Sequence, residues 1–401
     1  MFEDLPYQKP LVVGTGGGND IVSATMIVAD LRQHGKQADL AGICSPGAWH
    51  AYGGVPEAPI NRVSSRATRF RQSKTIRPIS FLDARVPGSL QKQGLEVKVY
   101  NWSCRFGTEA LTESLDRLMK QEGYDGIIAV DVGGDILARG IEDPTILSPL
   151  MDFTTLHVLG QLEAPSTLVE FGLQTDGELR PEGCEQILAD LESRGILKDV
   201  REIQVSDPAV DVFRRVYQDI EKVRRGHTAV MTFQTWEAKE DIHTDYRFRV
   251  QVSDKKWYHS FPLVLEKKYF RKAFILDPKG LAKTRPLAFP YADLLELYVR
   301  MKSAIDTKTE MDMLYWQGGS LNIWTGLLCP QIEGEKREQI LRYGAEQMDS
   351  EADVGLFWEK DKGVLQPSWS QAQVGSLVAA GKETVKVSAV ASKLEKIMSV
   401  T

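Results

Sequence analysis

The feature that most constrains this chain is a beat repeated along its first half. A short apolar run leads into a turn carrying glycine and an acid, and a helical pattern follows. The first instance is Leu11-Val12-Val13-Gly14-Thr15-Gly16-Gly17-Gly18-Asn19-Asp20, and the second is Ile127-Ile128-Ala129-Val130-Asp131-Val132-Gly133-Gly134-Asp135. A third turn, Gly172-Leu173-Gln174-Thr175-Asp176-Gly177-Glu178, follows the strand-like stretch from Thr167 to Phe171. Apolar runs without alternation suit strands covered on both faces, as in a parallel sheet. Strands separated by helical patterns imply an α/β fold. The expectation is a Rossmann-like doubly wound, mainly parallel sheet with helices on both faces. Its ligands would sit outside the carboxyl ends of the strands.

The same reading places further elements. Helical spacing is expected from Ile21 to about His34, from Thr108 to Gln121, from Pro149 to Leu162 and from Pro181 to Arg194. Strands are expected at Ala38–Ile43, Leu95–Tyr100 and Phe274–Asp277, and a helix from Tyr291 to Ile305. Residues 44–78 are rich in Pro, Gly, Ser and Arg and read as a long connection. From Trp236 to Lys268 the chain turns charged and aromatic, with alternation through Tyr246–Val252, and reads as an inserted hairpin. The main domain is expected over residues 1–315. A helical C-terminal extension follows over 316–401, with helices near Glu335–Asp349 and Ala372–Ala380.

At 401 residues, with 42% hydrophobic and 26% charged, the chain can bury a sizeable core. A net charge of −6, mixed along the chain, argues against a nonspecific nucleic-acid binder. Cys44, Cys104, Cys184 and Cys329 lie far apart without a CxxC pair, so reduced thiols are expected rather than a disulfide framework or zinc site. No stretch approaches the roughly 20 apolar residues of a membrane span, and no secretory leader pattern opens the sequence. A soluble, cytoplasmic protein is the expectation.

Glycines at a strand-to-helix turn let a ligand approach the backbone, and the helix N-terminus behind them favours an anion. The first loop is neither GxGxxG nor a P-loop. Asp39 falls near the distance of a ribose-binding acid but inside its strand, so a standard dinucleotide site does not fit well. The glycines could instead serve only close helix packing, a reading that three acid-bearing turns weaken, and Asn19 and Asp20 could act only as helix caps. Asp131 is harder to explain that way, because a carboxylate on a very apolar strand is costly without a cation or donors. Oxygen ligands at Asp20, Asp131, Asp135 and Asp176 would suit magnesium better than zinc. Arg62, Arg66, Arg69 and Arg71 could clamp an anion or simply be solvated. His50 is the one histidine near the sheet's first half placed to act as acid or base, and His157 reads as a satisfied core residue.

At these residues the chain resembles the DUF1152 proteins of archaea and bacteria. The resemblance rests on Gly14–Ala24, on Asp131–Ala138 with Ser148-Pro149-Leu150 and Asp152, and on Gly172 with Asp176-Gly177-Glu178. Weaker similarity continues through Phe274–Pro278 and Thr309–Asp312, so it covers roughly residues 10–315. Asn19 stands where glycine is usual, Arg139 where an acid is common, and Gln174 in a turn that more often carries a second glycine. The family implies no established activity.

The functional expectation is an enzyme for metal-assisted group transfer or hydrolysis on a small anionic metabolite or nucleotide. Gly16, Gly17, Gly18, Asn19, Asp20, Gly133, Gly134 and Asp176 would bind the ligand. Asp131 and Asp135 would act in catalysis or hold Mg2+, and Glu178 would be a general base. A non-catalytic ligand-binding protein and a divergent NAD-dependent enzyme are the alternatives, and self-association is left open.

Overall fold

The computed structural model describes residues 1–16, 20–44, 58–63, 85–140, 149–176, 179–221, 232–233, 235–252, 255–292, 297, 356–359, 364–367 and 383–385. Its first strand, β1 (Pro10–Gly14), is buried at every position, which is the behaviour its unbroken apolar run dictates. Helix α1 (Asp20–Gln33) follows, then β2 (Asp39–Cys44), β3 (Ile60–Val63), α2 (Val86–Lys92) and β4 (Val99–Ser103). Next come α3 (Gly107–Glu122), β5 (Gly126–Val132), α4 (Pro149–Gln161), β6 (Ser166–Phe171), α5 (Pro181–Ser193), β7 (Leu197–Glu202) and α6 (Pro208–Glu221). The hairpin β8 (Ile242–Val252) and β9 (Lys255–Leu265) leads to α7 (Lys267–Phe270), β10 (Lys272–Leu276) and α8 (Pro278–Thr284).

Eight of these strands form one mixed sheet in the order β3-β4-β2-β1-β5-β6-β10-β7. The run β4-β2-β1-β5-β6 is parallel throughout. The strand β3 adds antiparallel at one edge, and β10 enters antiparallel between β6 and β7. The strand order therefore reverses between β1 and β5, where the chain runs outward in both directions. In open α/β sheets a crevice forms at that reversal.

Helices α1, α2 and α6 pack on one another, and Val12, Ile128, Val130, Val132 and Phe171 of the strands join their core. Strand side chains alternate, so Asp131 and Glu170 turn to the opposite face. There α4 packs with α3 and α8. Among the described residues, no helix is long and apolar enough to cross a membrane.

The hairpin forms as its alternation requires, but the expected insertion begins too early. Trp236 is 2% exposed and packs against Phe171, Phe213 and Phe233, so it belongs to the domain core. The strand expected at Leu95–Tyr100 forms later, at Val99–Ser103, because Trp102 supplies the fully buried anchor. Leu95 and Val97 pack at the core's margin. In the tail, the described residues are strands, not helices. They are β11 (Leu356–Glu359), β12 (Val364–Pro367) and β13 (Glu383–Val385), paired antiparallel. The helices expected near 335–349 and 372–380, and all but three residues of the one expected from Tyr291, lie outside the described residues.

Candidate functional site

The first turn continues the sheet by one residue. The Thr15 amide donates to the Val130 carbonyl at 2.9 Å, placing the Thr15 side chain beside Asp131. The Thr15 hydroxyl lies 3.1 Å from Asp131 Oδ1, 3.1 Å from Asp152 Oδ1 and 3.3 Å from Asp20 Oδ2. Thr155 Oγ1, one helical turn after Asp152, donates to the Thr15 carbonyl at 2.9 Å and ties α4 to the turn. Asp20 does not merely open α1, since its Oδ2 accepts the Gly16 amide at 2.5 Å. One hydroxyl can donate only one proton, so the three carboxylates around Thr15 cannot all be satisfied by it.

Asp20, Asp131 and Asp152 are buried, and one oxygen from each lies within 4.8 Å of the others. Two unit charges about 5 Å apart repel by about 3 kcal/mol at an effective dielectric near 20, so a bare trio is strained. Gly16 leaves the room they occupy. A Cβ there would stand 2.5 Å from Asp20 Oδ2 and 3.0 Å from Asp152 Oδ1.

The second and third turns meet at the same end of the sheet. Gly133 has φ +122, and a Cβ on it would lie 2.5 Å from Asp176 Oδ2. The Gln174 amide donates to the Gly133 carbonyl at 2.7 Å. Gln174 has φ +76, the left-handed region, in the turn where the resembled family more often carries a second glycine. Asp135 is buried on the 3-10 turn Asp135–Leu137 that follows Gly134.

Glu170 adds a carboxylate that the sequence reading passed over. It is the register partner of Asp131 on the neighbouring strand, and both are 0% exposed. Neither Glu170 oxygen, nor Asp131 Oδ2, meets a hydrogen-bond donor among the described residues. No basic side chain among them pairs with Asp20, Asp131 or Glu170. Burial first, and the Asp131 charge second, raise the Glu170 carboxyl well above its usual range. Burial and then Asp131 likewise raise Asp20, against the opposing Gly16 and Thr15 hydrogen bonds.

Of the residues expected at the site, Gly16, Asp20 and Asp131 come together around Thr15, and Gly133 lies against Asp176. Asp152 takes the third place in the carboxylate trio, and Asp135 is not one of the three. Gly17, Gly18, Asn19 and Glu178 lie outside the described residues, as do His50, Arg66, Arg69 and Arg71. Asp39 opens β2 at the opposite end of the strands, where its carboxylate accepts from Tyr124 at 2.7 Å and from the Lys98 amide at 2.9 Å. Its role there is structural. His157 is buried in α4, and its Nδ1 donates to the Ala288 carbonyl at 3.1 Å. Cys104 and Cys184 are buried thiols outside any disulfide.

Glu170 and Asp152 each carried a readable signal. Val169-Glu170-Phe171 repeats the pattern of Val130-Asp131-Val132, an acid inside an apolar strand. The argument that singled out Asp131 applies to Glu170 unchanged. Asp152 sits in the first turn of α4, where an acid passes for an ordinary helix-start residue.

The profile of a family described as "Protein of unknown function (DUF1152)" matches residues 11–223 of this chain. That span contains the whole carboxylate group, while the weaker similarity beyond residue 270 lies outside it. No curated protein and no solved structure matches the chain.

Proposed function

We propose that this chain, which belongs to the DUF1152 family, is an enzyme that binds a divalent metal and acts on a small anionic metabolite or nucleotide. The observation that carries the reading is the buried trio Asp20, Asp131 and Asp152, with oxygens within 4.8 Å of one another. Hard oxygen donors of this kind suit Mg2+ or a similar ion. An anion would be repelled by these carboxylates unless such a cation stood between. With the cation bound, the Gly16–Gly18 and Gly133–Gly134 backbones would face the anion and Glu178 would serve as general base. The metal would polarise the reacting group, which favours group transfer or hydrolysis.

We read the sheet as Rossmann-like and doubly wound. The order of its five parallel strands, with helices packed in two groups, supports that reading, as does the placement of acids at the strand reversal. A dinucleotide site gains no support, since Asp39 opens β2 and β2 ends at Cys44 without an acid. The cytoplasm is the compartment we assign.

Thermal stability with a panel of nucleotides and phosphorylated metabolites, with and without Mg2+, tests the reading, because a bound ligand stabilises by mass action. A ligand shift that requires Mg2+ is expected, and it should vanish in Asp131→Asn. Equal shifts with and without Mg2+, or an unchanged response in the variant, would overturn it.

A further inference from the structure

The end of the strands away from the carboxylates holds a cavity of about 770 Å3, within the range that encloses a small organic ligand. Asp39, which lines it, is the register partner of Leu11, four residues short of Thr15 along β1. At about 3.3 Å per residue that is about 13 Å, so the cavity is separate from the Asp20–Asp131–Asp152 trio. Four cations line it. They are Lys9 before β1, Arg32 in the last turn of α1, Arg62 on the edge strand β3 and Lys98 before β4.

The acids nearby do not use up that charge. Lys98 pairs with Glu122, and Arg32 Nη2 lies 3.3 Å from Asp39 Oδ1. Asp39 is already occupied on both oxygens, by the Lys98 amide at 2.9 Å and the Tyr124 hydroxyl at 2.7 Å. Arg32 Nε donates to the Ala38 carbonyl at 2.9 Å, which holds the guanidinium in place and leaves Nη1 without an acceptor among the described residues. The Lys9 ammonium is held by the Glu122 carbonyl and lies 5.4 Å from the centre of the Tyr124 ring. Neither of these is a carboxylate, and an ammonium has three protons to donate. Arg62 is exposed and meets no acid among the described residues. Against these spare donors the wall sets one further acid, the exposed Glu96.

We propose that this cavity binds an organic phosphate, as a second ligand site that does not depend on the reading of the trio. Lys9, Arg32 and Arg62 reach the cavity from three separate parts of the fold. A phosphate presents oxygens in three directions, where a carboxylate presents two in one plane, and guanidinium forks match it well. The organic part lies against Leu95 and Val97, which are partly buried at the core's margin. Glu96 opposes the anion and limits its affinity.

The test is ligand-observed NMR on the full chain with phenyl phosphate as probe and a chelator present, so that no divalent metal contributes. Binding is expected in the natural protein and equally in Asp131→Asn. Arg62→Gln, an exposed change, should weaken it about fivefold, and Glu96→Gln should tighten it, since an exposed charge contact is worth up to about 1 kcal/mol. Benzoate, with the same ring and a planar anion, should bind more weakly. No binding, an unchanged affinity in Arg62→Gln, or benzoate as tight as phenyl phosphate would overturn the site. Loss of binding in Asp131→Asn with Arg62→Gln unaffected would place the phosphate at the carboxylate end and refute the second site.

Discussion

Asp131 and Glu170 are register partners on adjacent parallel strands, and neither exposes any surface to solvent. The sheet forces them together, because two acids at one level of neighbouring strands on one face have nowhere else to go. A fold does not gain stability from that pairing. Like charges opposite each other oppose it, and burial adds its own penalty. On the proposed reading, such strain is kept because a bound cation relieves it.

The stability of the metal-free protein should fall as pH rises above the ordinary carboxylate range. Glu170 and Asp20 are raised in the folded state, by burial first and by the Asp131 charge second. The folded chain then holds protons that the unfolded chain has released. A raised carboxyl contributes its full stability below the unfolded value and loses it as pH climbs through the folded one. Urea unfolding with chelator present, from about pH 5 to about pH 8, should therefore show a falling midpoint across these conditions. Saturating Mg2+ should flatten that slope, because the cation replaces the protons.

The glycines at the site are open to a separate test. Gly16→Ala would push a methyl group to within 2.5 Å of Asp20 Oδ2. Its main loss should be the Mg2+-dependent rise in melting temperature. Gly133→Ala adds a strained φ of +122 to a clash with Asp176. That variant should cost about 1–3 kcal/mol in unfolding free energy even without metal. Equal behaviour of the two would mean that the first loop only packs.

How much of this was legible follows from which forces act locally. Apolar runs ending in glycine located β1, β5 and the turns, because burial on both faces demands that composition. Asp131 was legible for the same reason. The alignment of Thr15 with Asp131 and Glu170 was not, since strand order is set by crossovers that no local pattern records. The antiparallel entry of β10 was hidden likewise, as Phe274-Ile275-Leu276 reads the same in either direction.

The buried thiols should be chemically silent. Burial pushes the Cys104 thiol up to about 12, so almost no thiolate exists at neutral pH. Iodoacetamide at about pH 8 should leave Cys104 and Cys184 unlabelled in the native protein and label both in denaturant, read by peptide mass spectrometry. Rapid native labelling of Cys104 would show that α3 opens at its start.

Where the core stops and the hairpin begins is decided by Trp236. Its ring stacks 6.2 Å from Phe171 and meets Phe213 edge-on at 5.9 Å, while its indole N–H donates to the Phe270 carbonyl at 3.0 Å. Trp236→Ala should therefore cost about 3–5 kcal/mol, as for other large aromatic truncations in a core. The hairpin itself should be dispensable to folding. Ile242 and Leu265 are register partners at its base, so the chain can be closed there by a two-residue turn replacing residues 243–264. Leu265 must stay because it is fully buried, and Glu266 because its amide donates to Gln174 Oε1 at 3.0 Å. The excised protein should unfold cooperatively within about 1 kcal/mol of the natural one, a surface change of ordinary size. A loss as large as that of Trp236→Ala would mean that the hairpin packs into the core and is no appendage.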